Sequence, residues 1–150
     1  MIEIKEEAAR PELTEELIAL SRLWEAENSC RGYRENGEDD IEGRRVFTAR
    51  EDGRLVGYLF GAAERAKERS SVMDAGARYF ELEELYVVPE LRSRGIGRGL
   101  FSCAEKALRG DAERILLSTA TKDWRRILHF YIEELGMDFW SARLFKEITG

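Results

Sequence analysis

The 150 residues contain only two prolines, two cysteines and one histidine, and each scarcity closes off a class of protein. Cys30 and Cys103 stand far apart without a CxxC pair, and His129 is the sole imidazole, so neither a zinc site nor a disulfide framework is indicated and both cysteines are expected as free thiols. With prolines only at 11 and 89 and no Ser/Gly/Pro-rich stretch or self-similar period, no linker or repeat divides the chain; a single domain over residues 1–150 is expected. Apolar runs long enough for a membrane span are missing, and the mean hydropathy is -0.45. The first ten residues mix charges without an apolar run or small-residue cleavage site, which argues against a signal peptide and for a cytoplasmic protein. Positive charge is also in deficit: 24 Lys plus Arg face 30 Asp plus Glu, and a net charge of -6 speaks against general attraction to nucleic acid or a membrane surface.

What is present is a folding composition, with 43% hydrophobic residues and 10% aromatics. Leu13, Leu17, Leu20 and Trp24 recur at helical spacing behind Pro11, predicting a helix over residues 11–28. An acidic stretch follows, carrying Glu35, Glu38, Asp39, Asp40 and Glu42, and it reads as a loop or short helix. Two β-rich runs, 45–49 and 54–60, are joined across Asp52-Gly53, the strongest short hairpin signal. A strand over 80–88 ends at Pro89, a glycine-rich turn follows, and Ile96, Leu100, Phe101, Ala104 and Leu108 mark a helix. Beyond it the pattern predicts a strand over 114–120, an amphipathic helix carrying Trp124, Leu128, Tyr131 and Leu135, and a last strand or pair over 137–148 without an exposed apolar patch in 137–150. In that helix Trp124 is expected in the core. The whole is mixed α/β with a βαβ unit over about 80–120.

The turn reads Arg92-Ser93-Arg94-Gly95-Ile96-Gly97-Arg98-Gly99. Three glycines let backbone N–H groups approach a ligand, and three arginines sit where a helix begins, so a phosphate or pyrophosphate is the natural guest. No Lys-Ser or Lys-Thr follows the last glycine as a Walker A loop requires, and the spacing is GxGxG where a dinucleotide fold has GxGxxG. Arg92-x-x-Gly95-x-Gly97, preceded by Leu85-Tyr86-Val87-Val88-Pro89 and followed by a helix, resembles the acetyl-CoA signature of the GNAT superfamily of N-acetyltransferases. The resemblance extends through Phe130-Tyr131 and Leu135-Gly136-Met137 to Leu144-Phe145-Lys146-Glu147, covering about 80–147; the first 60 residues match only in layout. It implies a mixed, mostly antiparallel central sheet flanked by helices, acetyl-CoA as cosubstrate, and a possible homodimer through the carboxyl-terminal strands. It also implies that the backbone of Leu85, Tyr86 and Val87 bonds the pantetheine arm. Arg92, Arg94, Gly95, Ile96, Gly97, Arg98 and Gly99 would hold the pyrophosphate. Where the family often has an asparagine six residues before the Phe of Phe-Tyr, this chain has Trp124.

Acetyl transfer to an amine needs a base, since an ammonium of pKa about 10 has no lone pair, and an acid for the departing thiolate. Period-two alternation puts Glu81 and Glu83 on the face of Tyr79, Leu85 and Val87, with Glu84 on the opposite face beside Phe80, Leu82 and Tyr86. The resemblance matches Glu83 to the base of spermidine/spermine-type members and Glu81 to that of histone-type members. Glu83 is preferred, although periodicity does not separate the two. It also matches Tyr131 to the tyrosine that protonates the sulfur. His129 reads as a surface residue, and Cys103 as packed, so direct transfer in a ternary complex is expected over a cysteine intermediate. The acidic stretch would draw a cationic amine such as a polyamine, an aminoglycoside or a basic peptide. A non-catalytic acyl-CoA-binding regulatory domain is the alternative, and a nucleotide-binding α/β module a third.

Overall fold

The computed structural model describes residues 1–149; the carboxyl-terminal Gly150 lies outside the described residues. Five strands form one sheet in the order β1 (Ile2–Glu7), β2 (Arg45–Glu51), β3 (Arg54–Arg65), β4 (Arg78–Val87) and β5 (Arg114–Leu116). The first four are antiparallel and β5 runs parallel to β4. The helices are α1 (Pro11–Glu27), a short α2 (Glu38–Ile41), α3 (Ile96–Leu108) and α4 (Trp124–Leu128), which continues as a π-helical turn over His129–Glu134. This is the mixed, mostly antiparallel sheet with a β4–α3–β5 unit that the sequence predicts.

Pro11 opens α1 with its fixed φ, and Asn28 ends it in the left-handed conformation at φ 53°. The predicted stripe is the buried one: Leu13 and Leu17 are withdrawn from solvent, and Trp24 is partly so. β3 is apolar almost continuously from Leu55 to Gly61 because both its faces are covered. Gly57 meets Leu100 of α3 on one face, whereas Tyr58 and Phe60 look toward the other. Each of these buried large side chains contributes roughly 1.5–3 kcal/mol on transfer from water.

Four sequence expectations are corrected. β5 has three residues where the sequence predicts 114–120, and it leaves that edge of β4 unpaired beyond Glu81. The predicted last strand over 137–148 is absent, and Phe139, Trp140, Leu144, Phe145 and Ile148 lie exposed. The reading of 137–150 as free of an exposed apolar patch therefore fails for the described residues. Aromatic and aliphatic residues favour a strand only where an edge receives them, and here none of the described strands pairs with this segment. Trp124 is 53% exposed, not core. The i→i+5 bond from Leu135 N–H to the Phe130 carbonyl, 3.0 Å, breaks the 3.6-residue phase on which its stripe was drawn, and Trp124 joins Leu128 and Ile132 along a shallow outward groove.

The fourth correction concerns the glutamates. Glu81 pairs with Ala62 and Glu84 with Phe60, two residues apart on β3 and thus on one face of it. Between them the register jumps from Leu82 opposite Gly61 to Glu84 opposite Phe60, so Glu83 is the extra residue of a β-bulge. Glu84 therefore shares the face of Glu81, whereas unbroken alternation separates them.

Candidate active site

The bulge lies where the sheet opens. β4 and β5 pair only at Tyr79–Arg114, Phe80–Ile115 and Glu81–Leu116, so Glu81 stands at the last pair and β4 runs on to Val87 along one side of a wedge. At the far end of that wedge the chain turns through Pro89–Leu91 into the glycine loop. Ser93 and Gly95 both take positive φ, 64° and 82°, and Gly95 is the N-cap of α3 without any side chain capping the helix. The amides of the first α3 turn therefore face the loop with the positive end of the helix dipole behind them. Arg94 and Arg98 are exposed beside them, the latter 3.4 Å from Glu134. Gly97 lies under Phe130, whose ring would be 3.3 Å from a β-carbon there, and Gly99 backs onto Ile4 of β1.

Arg92 behaves differently from its neighbours. Its Nε donates to the Val87 carbonyl at 2.9 Å, its Nη atoms hold Glu27 at 2.8 and 2.9 Å, and its guanidinium stacks 5.3 Å from the Tyr86 ring centroid. Tyr86 also donates to Glu27 and stacks on Trp24 at 5.3 Å. Burial works to raise Glu27, yet the hydrogen bonds from Arg92 and Tyr86 outweigh it and hold the carboxyl below its ordinary value. Thus Arg92 fastens the loop to β4 and to the end of α1. Glu27, which sequence reasoning missed, is its partner; nothing local in the helix pattern marks it. Leu85 is half-buried against the core, and Val87 contacts Gly57.

The three glutamates of β4 differ in their surroundings. Glu83 is clasped by Arg44 in a two-pronged ion pair, 2.6 and 3.1 Å. Burial, then the negative charges of Glu83 and Glu64, push Glu81 up from the usual carboxylate range. Burial likewise raises Glu84, against the pull of three donors: Asn36 at 2.9 Å, Tyr58 at 2.7 Å and Tyr33 at 3.0 Å, all on Oε1. Glu84 and its partners are the second group that the sequence did not reveal, because the alternation assigned it to the wrong face.

Tyr131 sits on the π-helical turn with Phe130 beside it, ring centroids 5.2 Å apart. Burial and the nearby Cys30 push its hydroxyl up to about 12, so it stays protonated at neutral pH. Cys103 is likewise raised by burial, which leaves a poor nucleophile, and His129 is exposed near Glu134 at 3.7 Å. No cluster of potential metal ligands occurs among the described residues. None of the described helices is long and apolar enough to cross a membrane.

A β-strand that parts from its parallel neighbour, a glycine-rich turn and an uncapped helix start define a site for an elongated, anionic ligand. Over residues 7–137 the chain matches the Acetyltransferase (GNAT) family, and it belongs to that family. Its fold is shared by solved acetyltransferases. An aminoglycoside acetyltransferase from an uncultured soil metagenomic sample, in complex with sisomicin, gives a TM-score of 0.69 at 17% identity, covering 99% of this chain and 97% of that one. Aminoglycoside N-acetyltransferase AAC(6')-Iy in complex with CoA gives 0.66 at 16%, covering 99% and 95%. A putative acetyl transferase from Pyrococcus furiosus gives 0.67 at 18%, covering 99% and 100%. No curated protein matches the sequence at a significant level. Acetyl-CoA, the cosubstrate of the family, fits what the residues offer: free first-turn amides and exposed arginines for its phosphates, and an open strand edge for its arm.

Proposed function

We propose that residues 1–150 act as one N-acetyltransferase domain that moves an acetyl group from acetyl-CoA directly to a primary amine of a small molecule or peptide, with a preference for cationic acceptors. The observation that carries this reading is Glu81, a carboxylate raised by burial and like charge, at the point where β4 and β5 part. The amides and arginines of Arg94, Gly95, Ile96, Gly97 and Arg98 would hold the pyrophosphate, the backbone of Leu85, Tyr86 and Val87 would line the arm, and Arg92 would keep the loop in shape; the Gly99 N–H is already given to the Gly95 carbonyl at 2.9 Å, so Gly99 would serve by closing the first helical turn. Acetyl-CoA supplies the acetyl group as an activated thioester.

Sequence reasoning prefers Glu83, which already holds Arg44; Glu81, raised by burial and like charge, is the better placed base. Its carboxylate takes the proton from the ammonium of the acceptor, which frees the lone pair for attack. Tyr131, protonated across the neutral range, gives its hydroxyl proton to the departing sulfur. Glu64 and Glu83 act on Glu81 with negative charge, which favours a cationic acceptor; aminoglycosides, polyamines and basic peptides share that chemistry. The connection between α1 and α2, with Glu35, and the start of α2, with Glu38 and Asp39, would form one wall of the acceptor cleft.

The test begins with thermal stabilisation by acetyl-CoA, CoA, NAD and ATP side by side, since a ligand at about 100 times its dissociation constant adds about 2.7 kcal/mol. A selective shift with acetyl-CoA, followed by CoA release on a panel of amines, is expected. A shift without release identifies a binding domain, and a preference for ATP or NAD overturns the reading. The exposed Phe139, Leu144, Phe145 and Ile148 support a homodimer that buries them. Sedimentation of the wild type and of Phe145→Asp tests it, and a monomeric wild type refutes it.

A further inference from the structure

Ser21, Asn36 and Thr48 are the polar residues most fully withdrawn from solvent among those described. Two of them belong to one network centred on Glu84. The hydroxyl of Ser21 donates to the Ile18 carbonyl at 2.7 Å and accepts the backbone N–H of Asn36 at 2.9 Å. Asn36 Nδ2 donates to Glu84 Oε1 at 2.9 Å, and that same oxygen accepts the hydroxyls of Tyr58 at 2.7 Å and Tyr33 at 3.0 Å. Tyr33 in turn stacks on Trp24 with ring centroids 4.3 Å apart. A single carboxylate oxygen on β4 thus ties together β3, α1 and the connection that follows α1.

Glu7, Glu27 and Glu83 are each clasped by an arginine, whereas Glu84 is held by two phenols and an amide. A well-packed apolar cluster of the same volume would serve stability at least as well, because a buried carboxylate is costly even when hydrogen-bonded. What the network supplies beyond stability is a fixed geometry: two of its donors, Tyr33 and Asn36, lie on the connection, and both converge on a residue next to the bulge.

We propose that Glu84 is the positioning residue of the acceptor wall. By accepting the hydrogen bonds of Tyr33 and Asn36 it sets where residues 28–37 stand relative to Glu81, and so sets acceptor affinity without touching the reacting atoms. This rests on the reading of that connection as one side of the acceptor cleft. The role needs an accepting oxygen at this place and not a negative charge, which separates it from direct recognition of a cationic acceptor.

The experiment compares the full chain with Glu84→Gln and Glu84→Ala, by steady-state kinetics and by amide hydrogen exchange over residues 28–37. Glu84→Ala should raise the acceptor KM by roughly tenfold or more, leave the acetyl-CoA KM within about twofold, and speed exchange in the connection. Glu84→Gln, which retains the oxygen, should return both readouts to near the wild-type values. Equal damage in the two variants would mean that the charge itself meets the acceptor, and the proposal would fall; it would fall equally if Glu84→Ala changed neither readout. Should Glu84→Ala not fold, the double variant Tyr33→Phe with Asn36→Ala carries the same expectations. A wild type that acetylates no amine would overturn the proposed function, while the exchange comparison would still decide whether Glu84 anchors the connection.

Discussion

Gly61 stands opposite the bulge of β4, and replacing it by alanine should disturb stability and chemistry together. A β-carbon at this position would lie 2.2 Å from the carbonyl oxygen of Glu81 and 2.6 Å from the ring of Phe80. Neither neighbour has an easy escape, because the first is backbone and the second is fully buried. Relief to an ordinary contact of 3.4 Å requires β3 and β4 to separate by about 1 Å at the residue proposed as base. Overpacking of this kind costs about 1–3 kcal/mol. For a chain of this size that corresponds to a fall in Tm of roughly 2–12 °C. A displacement of ~1 Å in a catalytic group lowers turnover by about 100-fold. Thermal unfolding, acetyl-CoA binding and kcat should be measured on the same preparation, with binding retained because the glycine loop is at the other end of the wedge. Gly61→Ala with a Tm and kcat close to wild type would refute the close approach and the argument built on it.

Other outcomes follow from the charges. Glu81→Gln should lower kcat at neutral pH by about 100-fold or more while acetyl-CoA still binds. The wild-type rate should fall on acidification as the raised Glu81 takes up its proton. Glu83→Gln removes one like charge and frees Arg44, so this acid limb should move to lower pH; a move upward would sink the assignment. Tyr131→Phe should reduce kcat more than it raises either KM, and the wild type should show no loss from this residue until pH approaches its value of about 12. Burial works to raise Glu7, but Arg50, Thr48 and Arg10 hold it down at about 2 against an ordinary 4.5. Its pairing therefore stabilises the fold above pH 4.5, and that stability is lost as pH falls toward 2. Arg50→Met, which leaves a carboxylate only 8% exposed with the half-exposed Arg10 in place of its two-pronged partner, should cost about 3 kcal/mol at neutral pH in urea unfolding and flatten that acid dependence.

The sequence by itself determined the elements that depend on neighbours a few residues apart. The apolar stripe of α1, the Asp52-Gly53 hairpin and the order strand, glycine loop, helix were all legible, because periodicity and turn chemistry are local. The loop also announced its anion chemistry, since glycines and arginines at a helix start have few other uses in that combination. Tertiary structure alone decided the face of Glu84, which depends on where β4 slips a residue against β3, and the engagement of Glu83 by Arg44 and of Arg92 by Glu27, partners 39 and 65 residues away. It likewise decided that residues 137–148 form no strand, although their apolar residues suggest one. A strand needs an edge and a carboxylate needs a counter-charge, and both are supplied by parts of the chain that only folding brings near.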